Sequence, residues 1–188
     1  KGAVVGSCSL RRRSQLLAIR PDLILKDLRG NVNTRLKKLE DGEYDAIILA
    51  AAGLKRLGFE HHITEFLSDE ISLPAVGQGA IGIECVTANE KVRDIIAKLN
   101  HTETAICVSA ERAFNARLNG GCQAPIAGFA ELTENGLRLR GLVGDLDNGT
   151  IIFHELHGAP EDAVKLGTEL ADNLLARGAK EILEKIYG

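Results

Sequence analysis

The chain opens on short apolar runs that alternate with amphipathic stretches. Residues 3–7 read as a strand, and Ser9 stands where it can cap a helix from Leu10 to about Arg20, which Pro21 stops. Residues 23–28 form a second short apolar run. Asn33 or Thr34 then opens a helix through Leu36 and Leu39 to Asp41-Gly42. Residues 45–51, Asp-Ala-Ile-Ile-Leu-Ala-Ala, are more continuously apolar, as in a strand covered on both faces. A helical stretch follows around 54–67. Strand, helix, strand, helix, strand predicts a parallel, doubly wound α/β sheet.

The pattern changes further on. Residues 74–82 are rich in glycine and read as a hinge, followed by a strand-like run at 81–86. Residues 102–118 are helical, with Ala105, Ile106, Ser109, Ala113 and Ala116 expected inward and Gly120-Gly121 as the stop. Three strands are predicted at 126–132, 137–143 and 150–156, joined by Glu134-Asn135-Gly136 and Asp147-Asn148-Gly149, both with hairpin chemistry. An amphipathic helix over 161–177 turns Val164, Leu166, Leu170, Leu174 and Leu175 inward and stops at Gly178; a last helix covers 180–187. This second half is a separate α+β unit.

Composition narrows the class. The 188 residues are 45% hydrophobic with a net charge of −3, too apolar and too weakly charged for a disordered chain. No apolar run approaches the roughly 20 residues that a membrane helix needs. Cys8, Cys85, Cys107 and Cys122 are scattered without a C-x-x-C pair, so neither a zinc ribbon nor a disulfide framework is expected, and a reducing cytoplasm fits. Aromatics at 4% argue against stacking platforms for nucleic acid. The lack of any methionine, with a start almost directly on a strand, points to a piece of a longer protein.

Charge placement carries more information. Residues 1–56 hold twelve Lys/Arg against six acids, while the remainder is acidic, so a local anion site is expected. Arg11, Arg12 and Arg13 fall in the first turn of a helix, where the macrodipole disfavours cations by about 0.3–1 kcal/mol each. Arg29 precedes Gly30 at a strand end, Arg35 lies in the first turn of the next helix, and Lys55 and Arg56 follow the third strand. Any one surface arginine is ordinarily just solvated. Three successive strand ends with arginines are another matter, because ligands of doubly wound sheets bind outside those ends. Guanidinium groups there call for a ligand with several carboxylates or phosphates.

Cys122 lies in Gly120-Gly121-Cys122-Gln123-Ala124-Pro125, a loop whose glycines allow close approach to the thiol. The other three cysteines read as packing residues. Gly77-Gln78-Gly79-Ala80-Ile81-Gly82 matches G-x-G-x-x-G but precedes a strand-like run where a dinucleotide site needs a helix. His154 and His157 lack the partners a metal site needs, His61-His62 reads as exposed helix surface, and Glu131 and Glu134 read as solvated.

Four motifs then share one resemblance. Gly6-Ser7-Cys8-Ser9-Leu10-Arg11-Arg12, Leu28-Arg29-Gly30-Asn31-Val32-Asn33-Thr34-Arg35, Leu73-Pro74-Ala75-Val76-Gly77-Gln78-Gly79 and Asn119-Gly120-Gly121-Cys122-Gln123 resemble porphobilinogen deaminase, also called hydroxymethylbilane synthase. The resemblance implies a three-domain transferase of tetrapyrrole biosynthesis that joins porphobilinogen units head to tail with release of ammonia. Its dipyrromethane cofactor is held by a thioether to a cysteine, which Cys122 matches. By motif, Ser7, Ser9, Arg11, Arg12 and Arg35 bind cofactor carboxylates, Arg29, Gly30 and Arg56 contact substrate or the elongating chain, and Gly77, Gln78 and Gly79 form a hinge.

The fold so implied is α/β. A doubly wound, periplasmic-binding-protein-like domain, incomplete at its N-terminus, spans 1–75, a hinge and returning segment 76–98, and a small α+β domain carrying the cofactor cysteine 99–188. Cys8 stands where the family usually has serine and Asn33 where glycine is common; neither removes a charge. The family's first domain, with its catalytic aspartate, is missing, so no catalytic residue is assigned here and this chain alone is expected to be inactive. Expected partners are porphobilinogen, linear pyrrole intermediates and the missing domain, with neither nucleic acid nor membrane, in an enzyme that is monomeric when complete. Two other classes compete: a non-catalytic small-anion binding module of periplasmic-binding-protein type, and nucleic-acid binding by the basic face.

Overall fold

The structure is a computed structural model that describes residues 1–121 and 123–187. Strands β1 (Val4–Gly6), β2 (Ile24–Lys26) and β3 (Ala46–Ile47) pair in parallel in the order β2-β1-β3, with Val5 opposite Leu25 and Ala46. Helix α1 (Leu10–Ile19) leads from β1 to β2, and α2 (Val32–Glu40) leads from β2 back across β1 to β3. Right-handed crossovers in opposite directions put these helices on opposite faces of the sheet. The order therefore reverses between β1 and β3, which opens a crevice at their carboxyl ends.

Local chemistry fixes the helix starts. Ser9 Oγ accepts from the Arg12 N–H, and Asn31 Oδ1 accepts from the Thr34 N–H at 2.9 Å. Asn31 thus caps α2 and starts it at Val32, slightly earlier than Asn33 or Thr34. Gly30, at φ 119°, admits no side chain, because a Cβ there would sit 2.9 Å from Thr34 Cγ2.

Three expectations for this region change. Helix α3 covers only Ala51–Arg56 and stops at Leu57-Gly58, where Gly58 takes a positive φ of 73°. A short 3-10 turn at Glu60–His62 and irregular chain replace the rest of the helix expected to 67. Residues 81–86 form no strand: no strand among the described residues pairs with them, and Ile81, Ile83 and Val86 stay exposed. The segment 76–98 instead contains α4 (Glu90–Ala97), capped by Asn89 through Val92 N–H (3.2 Å).

The second half is an antiparallel sheet covered by helices. Strands β4 (Ile126–Thr133), β5 (Gly136–Gly144) and β6 (Ile151–Gly158) run in sequence order, and Thr133 opposite Gly136 closes a two-residue hairpin. Helices α5 (Thr102–Arg117) and α6 (Ala163–Leu174) pack together on it, and α7 (Lys180–Tyr187) follows a kink at Gly178. Phe114, Leu137, Leu139, Leu170 and Leu174 are fully buried between them. The inward face of α5 is the expected one only in part: Ile106 packs on the core and Ala113 against α6, but Ala110, Glu111 and Phe114 are the buried residues while Ser109 and Ala116 are exposed. The Phe114 ring and Leu118 fill the core beside Ala110. In α6, Val164 is exposed, because the helix starts at Ala163 and the face in step with it runs through Leu166, Gly167 and Leu170.

The two sheets are joined through α1. Ser14 of α1 is fully buried against Gly144 of β5, where a Cβ would overlap the Ser14 side chain. Arg140 on β5, 3% exposed, ion-pairs with Asp69 and with Glu70 (2.8 Å) and lies over the Phe129 ring. Glu131 joins this network through Arg138 and Arg140, so it is not merely solvated. Gly144→Ala should destabilise the chain by about 1–3 kcal/mol through overpacking, and Ser14→Gly in the same chain should recover part of the loss. A thermal melt reads this; an unchanged midpoint contradicts the close approach of α1 to β5.

Candidate functional site

The crevice at the β1/β3 reversal is lined with guanidinium groups. Arg12 donates from Nη1 to the Ile48 carbonyl just beyond β3 (3.1 Å), so its side chain bridges from the start of α1 across the reversal. Arg11 is buried. Its Nη1 donates to the Leu73 carbonyl (2.6 Å) and its Nη2 to Gln78 Oε1 (3.1 Å). Arg35 donates from Nε to the Gly30 carbonyl (2.7 Å). None of these four partners is a carboxylate, and among the described residues Arg11, Arg12, Arg35 and Arg56 take part in no ion pair.

Their electrostatics are correspondingly unbalanced. Burial, helped by the neighbouring Arg12 charge, pushes Arg11 down to about 10. Burial also lowers Arg12; nearby Cys8 opposes that shift and the Arg35 charge adds to it. The first turns of α1, α2 and α3 hold no acidic residue, so their free N–H groups add positive potential at the same sheet edge. Arg13 differs: it pairs with Asp27 at 2.8 Å. A cleft of about 600 Å³ opens here, with Arg11 and Arg12 on its wall and Leu36, Leu54 and Phe66 among its apolar lining. Asp45, Glu65 and Asp69 also line it, with Asp69 committed to Arg140; the two arginines over the apolar floor suit a flat apolar ligand that carries carboxylates.

Not every site residue named from the sequence reaches this cleft. Ser7 is buried and its Oγ accepts from the Ser9 N–H (3.3 Å), so it shapes the β1–α1 turn. Arg29 is exposed and within 3.7 Å of Asp27. Arg56 sits in the last turn of α3, where the helix dipole favours a cation, and not at a strand end. Cys8 is exposed in the turn before α1, not packed. Cys122 lies outside the described residues; its neighbour Gly121 is exposed.

The segment expected to be a hinge is held more tightly than its glycines indicate. Gln15 brackets Leu73, accepting from its N–H (2.6 Å) and donating to its carbonyl (3.1 Å). Gln78 accepts from both Arg11 and the Ala75 N–H (3.1 Å). Glu111, buried in α5, accepts from the N–H of Gly77 (2.6 Å) and of Ala130 in β4 (2.8 Å), tying the hinge to the second sheet. Gln15 and Glu111 escaped the sequence reading. Glu111 had one signal, a carboxylate in step with Cys107 and Phe114 on the apolar face of its helix.

Comparison with known families decides the identity of this arrangement. Residues 1–94 match the family model described as porphobilinogen deaminase, dipyromethane cofactor binding domain, and residues 105–176 match porphobilinogen deaminase, C-terminal domain. The chain belongs to the porphobilinogen deaminase family. The enzyme of this family is hydroxymethylbilane synthase, a transferase of porphyrin biosynthesis that binds porphobilinogen. The matched first region is the porphobilinogen deaminase domain that binds the dipyrromethane cofactor, and the arginine-walled cleft lies within it. The donor set fits that cofactor: guanidinium groups without carboxylate partners for its acid side chains, and an apolar floor for its rings.

Burial raises the Glu111 carboxyl above its ordinary value, against the lowering effect of the Gly77 and Ala130 N–H groups. Folding therefore favours the protonated form. This stabilisation is present below the unfolded carboxyl's pKa and is lost as pH rises through the raised value. Glu111→Gln removes the titration, so its stability relative to wild type should improve from pH 4 to pH 7 in urea melts. A gap independent of pH, or one that moves the other way, contradicts the buried carboxyl.

Proposed function

We propose that this chain supplies the cofactor-binding and cofactor-attachment parts of a hydroxymethylbilane synthase that joins porphobilinogen units into a linear tetrapyrrole. One observation carries the reading: Arg11 and Arg12 line one strand-end crevice with the Arg35 charge close to Arg12, and the partners of all three are backbone carbonyls and an amide. Such groups gain most from a ligand with several carboxylates. Arg12 and Arg35, with the Ser9-capped start of α1, would hold the acid groups of the cofactor. Arg11 would serve twice, as part of that positive surface and as the anchor of the hinge. Arg29 and Arg56, both exposed, would meet the incoming substrate or the elongating chain. Cys122 is the attachment point by motif, a thiol flanked by Gly120-Gly121 and Gln123.

The α/β half, with strand order reversed at β1/β3, agrees with a periplasmic-binding-protein-like domain. A non-catalytic anion module of that kind would need the same arginines but no thiol chemistry. The enzyme reading also places the chain in a reducing cytoplasm, within an enzyme that works as a monomer, and assigns proton handling at the pyrrole to an aspartate outside this segment. On that reading these 188 residues make no linear tetrapyrrole unless the first domain is supplied in trans. Turnover by the chain alone would contradict it.

The decisive comparison uses variants of the complete enzyme with peptide mapping of Cys122. Wild type should carry a two-pyrrole adduct on Cys122. Arg12→Leu should lose most of that adduct, since a lost charge-assisted hydrogen bond of about 1.5–3 kcal/mol weakens binding roughly 10- to 100-fold. Arg56→Leu should load normally and elongate more slowly. Unmodified Cys122 in active protein, or full loading and turnover by Arg12→Leu, contradicts the proposal.

A further inference from the structure

The loop that leads into Cys122 is fastened from the far end of the chain. After α5, Asn119 adopts a left-handed conformation with φ 53° and turns the backbone. Gly120 must then be glycine, because a Cβ there would overlap the Asn115 amide. Asn115 Nδ2 donates to the Gly120 carbonyl (3.1 Å), and the Gly120 N–H donates to the Asn115 carbonyl (2.9 Å). Gly121 is held by something else. Its N–H donates to the phenol oxygen of Tyr187 in α7 (3.2 Å), and its carbonyl accepts from the Ala124 N–H (3.0 Å).

Tyr187 is 45% exposed, so its ring is only partly buried; what it offers specifically is the acceptor oxygen. Its support is firm. Ile182 and Leu183 of α7 are buried in the core, and Lys185 donates to Asp145 Oδ2 (3.2 Å) at the end of β5. The phenol is thus presented to Gly121 from a helix anchored at several points.

We propose that Tyr187 is a positioning residue for cofactor attachment, acting through the Gly121 peptide that it fixes. The inference rests on the reading of Cys122 as the attachment point. The bond at issue joins the Cys122 sulfur to the aminomethyl carbon of porphobilinogen; the C–N bond breaks, and ammonia leaves with the thiol proton. An alkylating agent with no shape requirement does not need the thiol aimed. Porphobilinogen, held by its carboxylates, does.

Tyr187→Phe keeps the ring and removes the acceptor. In the complete enzyme, the Gly121 amide of the variant should exchange with deuterium faster, by about two- to ten-fold for one lost neutral hydrogen bond, with the Gly120 amide unchanged. In the cofactor-free enzyme, iodoacetamide should label Cys122 at the wild-type rate, measured against exposed Cys8. Acquisition of pyrrole mass on Cys122 by cofactor-free enzyme incubated with porphobilinogen should slow by a similar two- to ten-fold factor. Unchanged exchange at Gly121, or equal slowing of both reagents, overturns the role of Tyr187. Wild-type loading matched by the variant overturns this inference alone; no loading on wild-type Cys122 overturns the attachment reading together with it.

Discussion

Everything in the first half of the molecule turns on uncompensated positive charge at one end of a short parallel sheet. Arg11, Arg12 and Arg35 are brought near one another by two strand–helix junctions and bonded to carbonyl and amide oxygens, which orient a guanidinium without neutralising it. Burial and mutual repulsion lower the proton affinity of Arg11 and Arg12, so the arrangement carries a cost in the free protein. An anionic ligand relieves that cost, and a group with several carboxylates relieves most of it. The cofactor named for this domain has that character.

The same arginines couple the cleft to the rest of the fold. Arg11 reaches Leu73 and Gln78, Gln15 brackets Leu73, and Glu111 takes the next hinge amide and passes the connection to β4. Cleft, hinge and second sheet thus form one continuous hydrogen-bonded path, closed at the back by Ser14 against Gly144 and by Arg140 with Asp69 and Glu70. A ligand that reorients Arg11 changes the hold on the hinge.

Much of this was legible in the chain. Alternating runs marked the parallel strands and the antiparallel meander, and the caps and hairpin turns located most helices. The arginines stood out because cations in the first turn of a helix oppose its dipole. What escaped depended on tertiary packing. Residues 81–86 have strand composition, yet a strand exists only with a partner, and Ile81 and Val86 stay exposed. Helix α5 buries Phe114 beside Ala110, a pairing that the run of small residues did not mark. Gln15 and Glu111 gave little signal, since a buried polar side chain is recognised by the backbone groups it meets, and these lie far away in sequence. Arg56 was placed by the length of α3, which sequence period did not fix.

The central claim is that charge complementarity at the β1/β3 crevice selects the ligand. Calorimetric titration of the cofactor-free enzyme with free dipyrromethane, bearing its acetate and propionate groups, and with the corresponding methyl ester, tests this most directly. Both ligands share the same rings and differ in charge. The acid should bind at least about 100-fold more tightly than the ester, as expected when two or more charge-assisted hydrogen bonds are lost. Added salt should narrow that gap. Equal affinity for acid and ester would contradict the account.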